Sequence, residues 1–263
     1  MATTSGLPAL DDPVRVLHLT DTHLFASAGG TLKGVDTLAT LETVVSEIQA
    51  QAWPADIIAA TGDISHDEPV GAYERFREVL LRLNLPVYCV PGNHDIRDVM
   101  RGALSEPPFR YCASLEAGNW FIAGIDSCLD GEASGHVSGA ELRRLAKALS
   151  DTDKPHALVC LHHPPLPMQS RWLDSVGLEN ADAFLDVVLA AGNVKCVVFG
   201  HVHQAFDETR ENVRIIGTPS TCKQFLPRSD EFATDERPPA YRRISLYADG
   251  SVDTELIWIN RDK

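Results

Sequence analysis

Five apolar, β-branched runs of this chain each stop on residue types that bind metal ions: Asp21-Thr22-His23, Gly62-Asp63, Gly92-Asn93-His94-Asp95, His162-His163-Pro164 and Gly200-His201-Val202-His203. Each run reads as a buried strand. Strands of a parallel-type sheet end along a common edge, where side chains from distant parts of a sequence converge. Carboxylate oxygen, imidazole nitrogen and amide oxygen together suit Mn, Fe or Zn better than Ca or Mg.

The strands expected are Val14 to Thr20, Ile57 to Thr61, Val87 to Val90, Trp120 to Asp126, Ala157 to Leu161 and Val194 to Phe199. Between them, Leu38, Leu41, Val44, Val45 and Ile48 follow helical spacing, and Tyr73 to Leu83, Gly139 to Leu149 and Ala183 to Ala190 read as further helices. The alternation indicates α/β layering. Tyr241 to Tyr247 and Val252 to Ile259 flank Asp249-Gly250, a hairpin signal. Pro227 to Pro239 reads as a loop. No repeat or linker divides the chain, so a tail over 1–13 and one domain over 14–263 are expected.

The formal charge of −14 leaves no basic stripe to neutralise phosphates and argues against a nucleic-acid polymer as partner. A small anion is still admissible, because distant carboxylates are screened beyond about 8 Å at physiological salt. The six cysteines form no CxxC pair and read as buried hydrophobes of a reducing compartment. Met1 to Pro13 lacks the pattern of a signal peptide, and no run has the length of a membrane span. A cytoplasmic protein without a membrane partner is expected.

Asp21 and His23, two apart at a strand end, point to one side and can share a metal. Asp63 follows Gly62, which permits a sharp turn, and its two oxygens can bridge two ions. Gly92-Asn93-His94-Asp95 presents amide, imidazole and carboxylate in succession with no evident packing purpose beyond an Asx-type turn. His201 and His203 again face one side. His162 and His163 are adjacent, so in an extended chain at most one faces a given metal. His18 reads as a satisfied core residue, and His136 and His156 as surface or loop residues. His66, three past Asp63, is compatible with either a site or a surface role.

Taken in order, these motifs resemble the calcineurin-like metallophosphoesterase superfamily. Leu19 to Phe25, Lys33 to Thr37, Trp172-Leu173-Asp174 with Gly177-Leu178, and Thr218 to Phe225 narrow the likeness to bacterial class III 3′,5′-cyclic-AMP phosphodiesterases, the CpdA or Icc type. The resemblance implies a four-layer α/β/β/α sandwich with a dinuclear metal site at one sheet edge. It implies Asp21, His23, Asp63 and His203 on a first metal, and Asp63, Asn93, His162 and His201 on a second. Two divalent or mixed-valence ions are implied: Fe or Mn, with Zn, Co and Mg as alternatives. The substrate phosphate would meet His23, Asp63, Asn93, His94 and His203, with His94 as the catalytic non-ligand histidine. Many superfamily members carry Asp where this chain has His66, so Asp67, Asp95 and a backbone carbonyl are all candidates to orient His94.

The implied activity is in-line hydrolysis of cyclic AMP to 5′-AMP by a hydroxide bridging two metals, attenuating cyclic-AMP signalling. The rival readings are a broader phosphodiesterase acting on 2′,3′-cyclic nucleotides or glycerophosphodiesters, and a non-catalytic nucleotide-binding regulator. Many members of the family are homodimers, although no heptad or apolar patch in this sequence supports one. Phe25, Trp172 and Phe225 are candidates to touch a base, and Trp172 to Asn180 to cover the site.

Overall fold

Two mixed sheets stacked face to face organise the chain, whose computed structural model describes residues 12–67 and 69–259. Most of the expected tail, residues 1–11, lies outside the described residues. The first half lays down β1 (Val14–Leu19), a short hairpin of β2 (Thr31–Leu32) and β3 (Val35–Asp36), α1 (Thr37–Gln51), β4 (Ile57–Thr61), α2 (Pro69–Leu81), β5 (Val87–Val90), α3 (Arg97–Ala103) and β6 (Phe109–Tyr111). The second half follows with β7 (Ser114–Ala117), β8 (Trp120–Gly124), α4 (Gly139–Asp151), β9 (His156–Cys160), α5 (Arg171–Asp174), α6 (Ala181–Ala190), β10 (Val194–Phe199), β11 (Phe206–Arg210) and β12 (Val213–Gly217). A small hairpin of β13 (Gln224–Phe225) and β14 (Thr234–Asp235) precedes β15 (Ala240–Leu246) and β16 (Val252–Trp258).

One sheet runs β16-β15-β1-β4-β5-β6 and the other β11-β12-β10-β9-β8-β7. In each, four strands run parallel: β1, β4, β5 and β6 in the first, and β8, β9, β10 and β12 in the second. Alternation along a strand sends successive side chains to opposite faces. Val14 and Val16 of β1 enter the core between the sheets, while Leu17 and Leu19 pack under α1 and α2. On β9, Leu158 and Cys160 face the first sheet, and Ala157 and Val159 meet α4 and α6. The result is an α/β/β/α stack, as expected. β10 breaks strict alternation, because Val194 and Val197 share a face; a bulge between Val194 and Cys196 shifts the register and accounts for it.

The C-terminal hairpin is structural, since β15 pairs antiparallel with β1 and extends the first sheet. Trp120, fully buried between the sheets, donates its indole N–H to the Tyr247 carbonyl at 2.8 Å. We infer a single domain from this shared core. Several elements differ from expectation. α2 starts four residues earlier than the apolar spacing indicates, and β6, β7, β11, β12 and α3 are additional elements. The loop expected over Pro227 to Pro239 contains β14. His156 opens β9 and packs its ring 5.4 Å from Trp120, so it is not a loop residue.

Candidate metal centre

The five motifs meet at the C-terminal edge of the parallel strands, where the two sheets adjoin. β1, β4 and β5 deliver Asp21, His23, Asp63 and Asn93 from one sheet, and β9 and β10 deliver His162, His201 and His203 from the other. The convergence does not come from extended alternation. Asp21, His23, Asp63, His201 and His203 all lie past their strand ends with positive φ, between 44° and 67°. Non-glycine residues rarely adopt this conformation, and a cluster of them marks backbone held in place by its surroundings. Gly62 turns the chain at φ 88°, and a Cβ there would approach both Gly92 N and His162 Nδ1 to 2.6 Å.

Two donor groups result. In the first, His203 Nε2 stands 3.2 Å from Asp21 Oδ1 and 3.1 Å from His23 Nε2, and His23 Nε2 lies 3.6 Å from Asp63 Oδ2. In the second, His162 Nε2 is 3.5 Å from Asp63 Oδ1, 3.2 Å from Asn93 Oδ1 and 3.2 Å from His201 Nδ1. Asp63 therefore presents one oxygen to each group. The rings are aimed from behind: His203 Nδ1–H donates to the Lys223 carbonyl at 2.6 Å, and His162 Nδ1–H to the Thr61 carbonyl at 2.7 Å. Such outer hydrogen bonds fix the tautomer that leaves the inner nitrogen free to ligate.

Burial opposes charge on Asp63, yet His162, His23 and His94 hold its carboxyl well below the ordinary value. Asp21 is likewise buried and kept below its ordinary value, chiefly by His203. Burial pushes His23 well down and His201 down to about 3, so both offer lone pairs. His162 is the counterweight: burial acts to lower it, but Asp63, Asp21 and the Thr61 carbonyl bring it up to about 9. Even with His162 protonated, two buried carboxylates leave net negative charge facing the other nitrogen lone pairs, and positive ions among them would balance it. This donor set fits a dinuclear metal site.

The remaining sequence candidates fall around this centre. His94 is exposed; its backbone N–H donates to Asp63 Oδ1 at 2.9 Å, and its ring stacks on His66 at 5.0 Å. Neither Asp67 nor Asp95 orients that ring. Asp67 accepts from Ala26 N, and Asp95 fastens the turn by accepting from the Gly92, Ile64 and Ser65 N–H groups and the Tyr73 hydroxyl. His163 is buried beside the Ser127 hydroxyl at 2.9 Å. Phe225 lies flat on His203 at 4.0 Å with Trp172 against its edge, whereas Phe25 touches His66. Gly135 and Pro164 tie down the backbone of Gly177, Leu178 and Glu179, so the covering segment expected from Trp172 onward is anchored along that stretch. Sequence reasoning missed Thr20, Thr61 and Ser220, hydroxyls that contact Asp21 or one another; the signal was a threonine closing an otherwise apolar strand.

With that geometry in place, the chain is assigned to a class: the sequence profile of the calcineurin-like phosphoesterases matches residues 14–205, and the chain belongs to that family. Its relatives are more particular. It is 37% identical over 256 residues, 97% of this chain and 94% of that protein, to the 3′,5′-cyclic adenosine monophosphate phosphodiesterase CpdA of Pseudomonas aeruginosa. It is 38% identical over 245 residues, 92% of this chain and 89% of that protein, to CpdA of Escherichia coli strain K12. Among solved structures, a dimetal phosphatase from Danio rerio shares the fold with a TM-score of 0.67 at 17% identity, covering 95% of this chain and 100% of that one. No helix among the described residues is long and apolar enough to cross a membrane.

Proposed function

We propose that this protein hydrolyses 3′,5′-cyclic AMP to 5′-AMP at a dinuclear centre and so attenuates cyclic-AMP signalling. The observation that carries it is Asp63 presenting one oxygen to each of two complete donor groups, in a chain that resembles CpdA over nearly its whole length. Asp21, His23, Asp63 and His203 hold one ion, and Asp63, Asn93, His162 and His201 the other. Imidazole, carboxylate and amide donors together suit Fe, Mn or Zn, and of these the family resemblance points to Fe or Mn. Bound there, the ions supply Lewis acidity, neutralising charge on the phosphoryl group and acidifying water.

The protein's own groups do the rest. In the balanced reaction a water oxygen bonds to phosphorus, the P–O3′ bond breaks, and one proton reaches O3′. His94, exposed at the mouth and backed by His66, either donates a hydrogen bond to the phosphoryl oxygen or gives O3′ its proton, which the proton released by the attacking water then replaces. Phe225 and Trp172, beside His203, offer an aromatic flank on which a base can rest. The free state of all six cysteines supports a reducing, cytoplasmic setting.

The test is kcat/KM of Mn²⁺- or Fe²⁺-reconstituted protein on 3′,5′-cyclic AMP, 2′,3′-cyclic AMP and a chromogenic diester, with a chelator control. Chelator-sensitive 5′-AMP formation with 3′,5′-cyclic AMP preferred is expected. A preference of orders of magnitude for either other substrate would replace the cyclic-AMP assignment with a broader phosphodiesterase. Absence of turnover with every metal would point to a nucleotide-binding regulator.

A further inference from the structure

Arg242, on β15 of the C-terminal hairpin, is almost fully buried, and its guanidinium makes no ion pair among the described residues. Asp207, the carboxylate whose charge acts on it, is itself held by Arg214 at 2.7 and 2.9 Å. A buried cation without a counter-charge is expensive, and only neutral groups meet the Nη atoms: Nη1 donates to Thr254 Oγ1 at 3.1 Å and Nη2 to the Gly217 carbonyl at 3.0 Å. Arg242 instead begins an unbroken line of hydrogen bonds. Its Nε donates to Thr218 Oγ1 at 3.2 Å, and Thr218 Oγ1 is 2.7 Å from His18 Nδ1. His18 Nε2 is 2.7 Å from Thr61 Oγ1, Thr61 Oγ1 is 2.9 Å from Thr20 Oγ1, and Thr20 Oγ1 is 2.6 Å from Asp21 Oδ2. Every side chain in the line is buried.

The two ends fix the direction of every proton. Arg242 can only donate and ionised Asp21 can only accept. Thr218 therefore gives its hydrogen to His18 Nδ1, His18 gives Nε2–H to Thr61, Thr61 to Thr20, and Thr20 to Asp21. The line works only with His18 neutral and carrying its proton on Nε2; burial and Arg242 keep its pKa down at about 3. Bonds aligned head to tail between opposite charges polarise one another and strengthen. At the far end Thr20 holds Oδ2, the His201 N–H is shared between Oδ1 and Oδ2 at 3.1 and 3.0 Å, and Oδ1, which takes no side-chain hydroxyl, faces His203 Nε2.

We propose that Arg242, Thr218 and His18 are positioning residues for the first metal. They act through Thr61 and Thr20 to fix the Asp21 carboxylate as a one-oxygen ligand, coupling the C-terminal hairpin to a site more than 200 residues earlier in the chain. This rests on the dinuclear reading for the metal but is independent of the substrate. Thr218 and Arg242 lie beyond residues 14–205, the part that matches the family profile.

Two measurements test it. In ¹⁵N-histidine-labelled wild-type protein without metal, His18 should show a protonated Nε2 and an unprotonated Nδ1. The opposite tautomer, or an imidazolium, would break the proton order and overturn the proposal even if no variant folds. Manganese titration of Thr218→Val and Thr218→Ser supplies the second. Outer-layer changes typically cost about 10- to 100-fold in metal affinity. Thr218→Val should weaken one of the two manganese equivalents by at least about tenfold, leave the other unchanged, and be rescued by Thr218→Ser. A folded Thr218→Val that binds both equivalents like wild type would refute the coupling. Wild-type protein binding fewer than two equivalents would instead remove the dinuclear reading beneath it, so the two failures are distinguishable.

Discussion

The two donor groups of the candidate metal centre each face one oxygen of Asp63 but are supported differently. Around Asp21 and His203, support is deep: hydroxyls of Thr20 and Ser220, the Lys223 carbonyl and the line to Arg242 are all buried behind the ligands. Around Asn93 and His201 it is thinner. Asn93 is half-buried on a turn, and His201 Nε2 is buried with no hydrogen-bond partner among the described residues. The lesson is one of degree: protein hydrogen bonds reach deep behind the Asp21 half, whereas in the other half they hold His162, through the Thr61 carbonyl, and the backbone of the Asn93 turn, and leave His201 with less support. Preorganised ligands give up less freedom on binding, so the Asp21 half should load first.

Removing the shared residue should erase the distinction. Asp63→Ala is expected to bind neither ion with native affinity and to lose at least about 10³-fold in kcat/KM, more than deleting one charge-stabilising donor costs. Elemental analysis and turnover check this together; two ions still bound per chain would show that Asp63 does not bridge. His94→Ala should leave both halves loaded yet lower kcat on 3′,5′-cyclic AMP by about 10²- to 10⁴-fold. The loss should be smaller for a diester whose leaving group needs no proton, and an equal loss on both substrates would argue against proton donation.

Gly200→Ala should separate the halves. A Cβ there would collide with Thr20 Oγ1 and come within 2.8 Å of Asp21 Oδ2. Overpacking of this kind costs typically about 1–3 kcal/mol, to be read as a lowered Tm. Metal titration should show the Asp21 half weakened more than the His162 half, whose Thr61 carbonyl the same Cβ approaches to 2.8 Å.

The pH response should differ as well. His162, with its pKa raised to about 9, must surrender a proton before its Nε2 can ligate. Apparent affinity of the Asn93–His162 half should rise about tenfold per pH unit up to that value, with one proton released per ion in calorimetry. His23, held well below its ordinary pKa, puts no such proton into the other half. The raised pKa also means that the His162 proton stabilises the metal-free fold below about pH 6.5, and that this contribution is lost as pH climbs toward 9. Smallest is Phe225→Leu, which should raise KM for cyclic AMP by about fivefold, the lower end of a base–aromatic stack, and leave a small diester unaffected.

The residues that converge at the sheet edge were legible because metal-binding chemistry requires particular residue types, and the α/β layering because buried strands require apolar runs; the four-layer order came through the family resemblance. The means of convergence were not. Asp21 and His203 meet through left-handed backbone that extended alternation does not describe, and such conformations depend on contacts across the two sheets. β6 and β7 are too short and half-exposed to carry a periodic signal. The role of Thr218 and Arg242 depends on β15 lying beside β1, a pairing across more than 200 residues that local patterns cannot register.

The most direct test of the account is titration of metal-free protein with Mn²⁺ while 5′-AMP release from 3′,5′-cyclic AMP is followed. We expect turnover to emerge with the second equivalent, to level off at two ions per chain and to vanish on chelation. Full turnover with one ion per chain, or 5′-AMP formation that survives chelation, would contradict it.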